Sequence, residues 1–196
     1  KYELAQVKEH LSRSLESVSR AYSMVTGTNC RVAIKILGGS GNSFVKTLAR
    51  DSASAQSCHE KDKSEGKQHT VVKNTDYNLI LNGGRSYFFC NNIPSSKEYI
   101  NTSKDEYGEK LPYAAAIVLP VRSANSQQCE GATDKYRCLG FLAVDSAARN
   151  AFLEKYDVQL GAIVADALYS VMDLLATVRQ AQDDHPLTED HGGKHA

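Results

Sequence analysis

The chain has 196 residues, and its 23 lysines and arginines balance 23 aspartates and glutamates, so the formal net charge is zero. That balance excludes the basic excess by which a dedicated nucleic-acid or anionic-membrane binder draws in its partner. The length suits one domain, and 41% hydrophobic residues supply an ordinary globular core without a disulfide or metal staple.

Five cysteines (Cys30, Cys58, Cys90, Cys129 and Cys138) cannot all pair within the chain. Their scatter points to a reducing, cytoplasmic setting. No CxxC pair is present, so no structural zinc site is expected, and no cofactor or metal is implied. No run approaches about 18 unbroken apolar residues, so no membrane span is expected within the chain. There is no signal-peptide pattern. The first residue is Lys1 and not methionine, which fits a piece cut from a longer signalling protein, either soluble or membrane-anchored.

Residues 1–26 read as an amphipathic helix. Leu4, Leu11, Val18 and Val25 recur every seven residues, flanked by Val7, Leu15, Ala21 and Tyr22, with charged residues opposite. A heptad seam predicts a dimerisation helix facing a partner copy; the alternative is a helix lying on its own sheet. Gly27 stops it. Arg31 to Leu37 alternates, with Val32, Ile34 and Ile36 on one side, which predicts a half-buried strand. The Gly38–Asn42 turn and an extended Phe44–Asp51 complete a hairpin. A phosphate-binding loop is not supported there, because the lysine is missing and a strand follows.

The polar stretch 52–70 predicts a loop. Thr75 to Leu81 predicts a short helix with Thr75 as N-cap. Tyr87 to Cys90 is a short aromatic strand, and 91–112 a polar loop or short helix. Ala114 to Val121 and Leu139 to Val144 are buried strands, paired antiparallel across the excursion 123–137. Phe152 to Val178 predicts a long helix with apolar residues on two flanks, which requires two surfaces to pack on. Residues 183–196 read as a polar tail. The domain expectation is therefore a helix at 1–26, a body at 27–180 and a tail at 181–196.

Within that order, Tyr87-Phe88-Phe89-Cys90-Asn91-Asn92-Ile93, Tyr113 to Arg122 and Leu139-Gly-Phe-Leu-Ala-Val-Asp-Ser146 resemble a GAF domain, a small-molecule sensing module of PAS-like architecture. The resemblance implies an α+β fold: a central antiparallel sheet, terminal helices on one face, and loops and short helices enclosing a ligand pocket on the other. It also implies a non-catalytic regulatory role, and a homodimer signalling through its terminal helices. Asn150, Phe152 and Asp157 partly echo a cyclic-nucleotide-binding signature, so a nucleotide or purine-like ligand is one expectation. Cys58-His59 is similar to a bilin-attaching pair but lies too early in the chain. A methionine-sulfoxide reductase of this fold would use thiols such as Cys90, Cys129 and Cys138.

The ligand-binding candidates are Phe88 or Phe89, which point to opposite faces, Asn91 and Asn92, the aromatic and polar Tyr99 and Tyr113, and the charged Asp145 and Arg50. Each has a plainer role as packing, turn or cap. The readings carried forward are a small-molecule sensor, an interaction module with a vestigial pocket, and a thiol reductase.

Overall fold

The computed structural model describes residues 4–54, 68–103, 111–123 and 137–184. In chain order the elements are α1 (Leu4–Thr26), β1 (Cys30–Gly38), β2 (Phe44–Arg50), β3 (His69–Thr70), α2 (Thr75–Leu81), β4 (Phe88–Cys90), β5 (Ala115–Arg122), β6 (Cys138–Ser146) and α3 (Glu154–Asp184). The strands form one sheet in the order β3-β2-β1-β6-β5-β4, antiparallel at every pairing. The fold is α+β, as the alternating strands and the resemblance imply.

One face of the sheet is apolar because alternate residues point there. Val32 and Ile34 of β1, Ile117 and Leu119 of β5, and Leu142 and Val144 of β6 are buried in one cluster with both long helices. From α1 come Leu11, Leu15 and Tyr22, and from α3 come Val158, Ala165 and Met172. Fully burying side chains of this size contributes about 1.5–3 kcal/mol each. The buried stripe of α1 follows the 3.6-residue period of a single helix rather than the heptad. Leu11 is buried, Val18 is half-buried and Val25 is 64% exposed. The own-sheet reading therefore describes this stripe, and α1 shares the core of the body it precedes.

Local chemistry sets the element ends. Gly27, at φ +67°, ends α1 as expected. The N-terminus of α3 is held by Asp157, whose carboxylate accepts the Leu153 N–H at 2.6 Å, so the helix starts at Glu154 and not at Phe152. It runs to Asp184, beyond the expected end at Val178. Thr75 opens α2 but is not its cap. Its hydroxyl accepts the Ile100 N–H at 2.8 Å and donates to the Glu98 carbonyl at 3.2 Å, fastening the following loop to the helix. The two-residue β3 is too short to leave a periodic signal in the polar stretch 52–70. Cys58, His59 and Cys129 lie outside the described residues.

The outer flank of α3 is exposed and apolar, with Ile163 at 69%, Leu174 at 64% and Val178 at 47%. Over Glu154–Val178 this helix is also long and apolar enough to cross a membrane by length and composition. A search for unbroken apolar runs misses that, because Asp157, Asp166 and Asp173 interrupt it.

α3 approaches the sheet closely at Gly161. A Cβ there would stand 2.6 Å from Leu119 Cδ1 and 2.7 Å from the Tyr22 hydroxyl, which itself donates to the Asp157 carbonyl at 2.7 Å. In an exposed helix interior, glycine to alanine stabilises by about 0.8–1 kcal/mol. Here Gly161→Ala is expected to destabilise by about 1–3 kcal/mol, the usual range for overpacking, read as a lower urea midpoint.

Candidate functional site

The second face of the sheet is different in kind. β1 turns Arg31, Ala33 and Lys35 toward it, and the register with β6 sets Arg31 opposite Asp145 and Ala33 opposite Ala143. β5 adds Ala116 beside Asp145 and Val118 beside Ala143. The centre of this floor is thus built from alanines, which leave room above them. β2 sets Arg50 opposite Ala33 and Thr47 opposite Lys35. In a regular strand, residues three apart face opposite sides. A register shift at Leu48, between the Ile34–Ala49 and Lys35–Thr47 pairs, absorbs one residue and brings Thr47 and Arg50 to one side.

α2, the residues from Tyr99 to Ser103, and Pro112 with Tyr113 form the roof. Part of the space is filled: the Tyr77 ring stacks tilted on Phe141 at 4.8 Å, and Phe88 meets Tyr99 at 5.5 Å. Between roof and floor remains a cavity of about 70 Å³, lined by Arg31, Lys35, Arg50, Asp76, Tyr99, Asn101, Tyr113 and Asp145 over the alanine floor. The Arg31 and Asp145 side chains are 25% and 21% exposed, so the cavity reaches solvent at their end. Asp76, 3% exposed, sits at the closed end.

The lining side chains are hydrogen-bonded in three groups, Arg31 with Asp145, Lys35 with Thr47, and Asp76 with Tyr99, Asn101 and Tyr113. Arg31 donates to Asp145 Oδ1 through Nε at 2.7 Å and through a terminal nitrogen at 2.5 Å. Its guanidinium lies 5.9 Å from the centre of the Tyr113 ring. Lys35 Nζ donates to the Thr47 hydroxyl at 2.7 Å. The Tyr99 hydroxyl donates to Asp76 Oδ2 at 3.2 Å, and the Asn101 amide donates to the Tyr99 and Tyr113 hydroxyls at 3.1 and 3.0 Å. Asp76 Oδ1 accepts the Tyr77 N–H at 2.9 Å.

Burial dominates the electrostatics. It pushes the Asp76 carboxyl up to about 6, even though the Tyr77 N–H, the Tyr99 hydroxyl and the charge of Lys35 favour the ionised form. Asp145 is also raised by burial, against the pull of Arg31, Arg50 and Lys35. Tyr99 and Tyr113 stay well above the ordinary phenol range, because burial and the Asp76 charge oppose phenolate.

Four of the eight residues singled out in the sequence meet in this cavity: Arg50, Tyr99, Tyr113 and Asp145. The others are used elsewhere. Phe88 backs Tyr99 from within the second cluster. Phe89 points through the sheet to the helix side. Asn91 accepts the Phe152 N–H at 3.0 Å and donates to the Phe152 carbonyl at 2.7 Å, tying β4 to the start of α3. Asn92 precedes a 3₁₀ turn at Ile93–Ser95, with its side-chain oxygen buried and without a partner. Sequence reasoning missed Arg31, Lys35, Asp76 and Asn101. The first two alternate on the polar side of β1, which reads as a solvent face until α2 is seen to cover it.

Comparisons with known proteins rest on structure. No protein-family model matches the chain, and no curated protein sequence does. The GAF domain of an Acinetobacter phosphoenolpyruvate-protein phosphotransferase superposes with a TM-score of 0.56 at 12% identity, over 87% of this chain and 86% of that one. A type II free methionine-R-sulfoxide reductase from Thermoplasma acidophilum gives 0.53 at 15% identity, over 87% and 95%. The blue-light-absorbing form of the Thermosynechococcus elongatus PixJ GAF domain gives 0.50 at 12% identity, over 94% and 96%. The fold is GAF-like. One fold here hosts a light-absorbing domain and an enzyme, so function has to be argued from the site.

Asp76 makes the site testable without a ligand. Its native pKa near 6 lies above the unfolded value near 3.8. Its contribution to stability is therefore fully present below about pH 3.8 and is lost as pH rises through about 6. At pH 7 the buried carboxylate costs on the order of 3 kcal/mol. Asp76→Asn is expected to stabilise the protein by about 1–3 kcal/mol at pH 7, with the difference from wild type growing between pH 4 and 6.5. Urea unfolding at several pH values measures it.

Proposed function

We propose that the chain is a small-molecule-responsive regulatory domain that performs no chemistry of its own. The observation that carries this reading is the cavity itself: charged and polar side chains converge between sheet and roof, one of them a carboxyl that burial holds toward its neutral form. A concave site with a few convergent polar groups and a perturbed carboxyl is where a ligand is first expected.

Size narrows the expectation. Sites for nucleotide-sized ligands occupy roughly 300–1,000 Å³. At about 70 Å³ the cavity does not accommodate a cyclic nucleotide in this arrangement.

The output is proposed to run through the terminal helices. The rung next to the Arg31–Asp145 pair is Cys30–Ser146. Around it, Ser19 donates to the Cys30 carbonyl at 2.6 Å, the Cys30 N–H donates to Ser23 at 2.9 Å, and the Thr28 and Ser146 hydroxyls lie 3.1 Å apart. A ligand that rearranges the ion pair acts one residue from the tether of α1. It biases the helices only by binding one arrangement better than the other.

The partner is proposed to be a second copy of the chain. Tyr156, Leu160, Ile163, Ala167 and Leu174 fall on a heptad-like stripe of α3; Tyr156, Ile163 and Leu174 are largely exposed. A stripe with that spacing suits a like helix, and zero net charge gives two copies no long-range repulsion.

A thiol reductase is the second reading, supported by the reductase among the similar structures. Against it, burial pushes the Cys138 thiol up to about 11 and the thiol donates to the Gly140 carbonyl at 3.3 Å, the opposite of an activated thiolate.

Two measurements test the proposal. Light scattering at tens of micromolar should report a dimer, and Leu174→Lys should return it to monomer without lowering the urea midpoint; a wild-type monomer removes the helix-pairing part. A thermal-shift screen of small metabolites should find a stabiliser, since a ligand at a hundred times its dissociation constant adds about 2.7 kcal/mol. No shift across amino acids, organic acids, phosphates and purines contradicts the sensor reading.

A further inference from the structure

Resting on the sensor reading above, we infer that the ligand of this cavity is a small oxyanion, a two- or three-carbon carboxylate or inorganic phosphate, and that it binds together with a proton taken up at Asp76. Three features of the lining lead there: its size, the distribution of its charge, and the position of its one deeply buried carboxyl.

A water-sized group needs about 10–15 Å³ of such space. A cavity of about 70 Å³ therefore holds on the order of five such groups. That is the size of phosphate or a short carboxylate.

The cations lie on one side. Arg31 and Lys35 come from β1 and Arg50 from β2, next to each other on the same face of the sheet. Asp145 of β6 shares that sheet face and is hydrogen-bonded to Arg31, and Asp76 faces them from α2. The formal balance of these side chains favours an anion. Guanidinium groups match an oxyanion through paired N–H donors, and the neutral Asn101 amide and tyrosine hydroxyls add hydrogen-bonding groups without charge.

Asp76 is the group that would repel an anion. It is faced by Lys35 of β1, Arg50 of β2, Asp145 of β6, and by Tyr99, Asn101 and Tyr113 of the segment between β4 and β5; Tyr77 is its neighbour on α2. A negative ligand beside it favours the protonated carboxyl further. The protonated acid then donates its O–H where the carboxylate only accepted. The proton comes from solvent, no covalent bond to the ligand forms, and the site gains one proton with each anion. Affinity therefore rises as pH falls toward 6 and levels off below it, because Asp76 is already protonated there.

The test uses the ¹⁵N-labelled full chain at constant ionic strength in chloride. Acetate, pyruvate and inorganic phosphate are the anionic probes; methylammonium and urea are the cationic and neutral ones. At least one oxyanion should saturably shift the amides of Ala33, Ala116 and Ala143. Its apparent affinity should tighten by up to about tenfold per pH unit between pH 8 and 6. Titration calorimetry of the wild type with acetate or pyruvate, which unlike phosphate exchange no proton of their own near pH 7, in two buffers of different ionisation enthalpy should show net proton uptake at that pH. Asp76→Asn should bind the same anion with a flattened pH profile. The calorimetric result stands without the variant should that fail to fold. Preferential saturation by methylammonium or urea overturns the inference and leaves the sensor reading intact. Anion binding without proton uptake overturns the coupling. Unmoved cavity amides with every probe overturn the inference, and if the wider thermal-shift screen is also negative, the sensor reading falls with it.

Discussion

A residue in a sheet can face only one way, and in this domain the register between β1 and β6 decides what faces where. The two strands are the central pair of the sheet. Their pairing sets Arg31 against Asp145 above the floor of the cavity and Cys30 against Ser146 beneath α1. A slip of one residue would turn the helix-side apolar set into the cavity and the ion pair into the core, so the register is strongly specified. The Arg31–Asp145 pair is partly exposed, and contacts of that kind contribute only about 0–1 kcal/mol. Its importance lies in position: it joins the open end of the cavity to the rung that carries the α1 tether.

The rest of the structure divides along that plane. On the helix side, apolar burial with few polar interruptions provides stability, and Gly161 allows α3 to close on Tyr22 and Leu119. On the other side, aromatic packing between Tyr77 and Phe141 and between Phe88 and Tyr99 closes part of the space and stops short of Asp76. Apolar burial on one face thus coexists with a polar cavity around a burial-raised carboxyl on the other. On the reading proposed above, that separation lets the ligand-facing groups be unfavourable without unfolding the scaffold.

The sequence reveals these two sides unequally. Elements with clean periodicity were readable: α1, the β1–β2 hairpin, α2, β5, β6 and α3 appear close to their expected positions. Tertiary context decides the rest. The heptad of α1 competes with a 3.6-residue stripe of Leu11, Leu15 and Tyr22, and only the packing shows which face the sheet takes. Three candidates, Arg50, Tyr113 and Asp145, are visible as polar or aromatic residues at the ends of apolar segments, and Tyr99 as an aromatic residue in a polar stretch. Arg31 and Lys35 were hidden, because an alternating strand looks alike whether its polar face meets solvent or a roof. Asp76 was hidden because an acid in the first turn of a helix is ordinary. Asn91 looked like a ligand contact and proves to be a clamp on Phe152, a role set by residues 61 positions away.

The central claim is that the polar cavity is a ligand site built around a buried, protonatable carboxyl. The direct measurement is the titration of the Asp76 carboxyl carbon by ¹³C NMR in the wild-type protein, without and with saturating acetate or phosphate. The account predicts a midpoint near 6 in the free protein and a higher midpoint when the anion is present. A midpoint in the ordinary aspartate range near 4, unmoved by either anion, would contradict it.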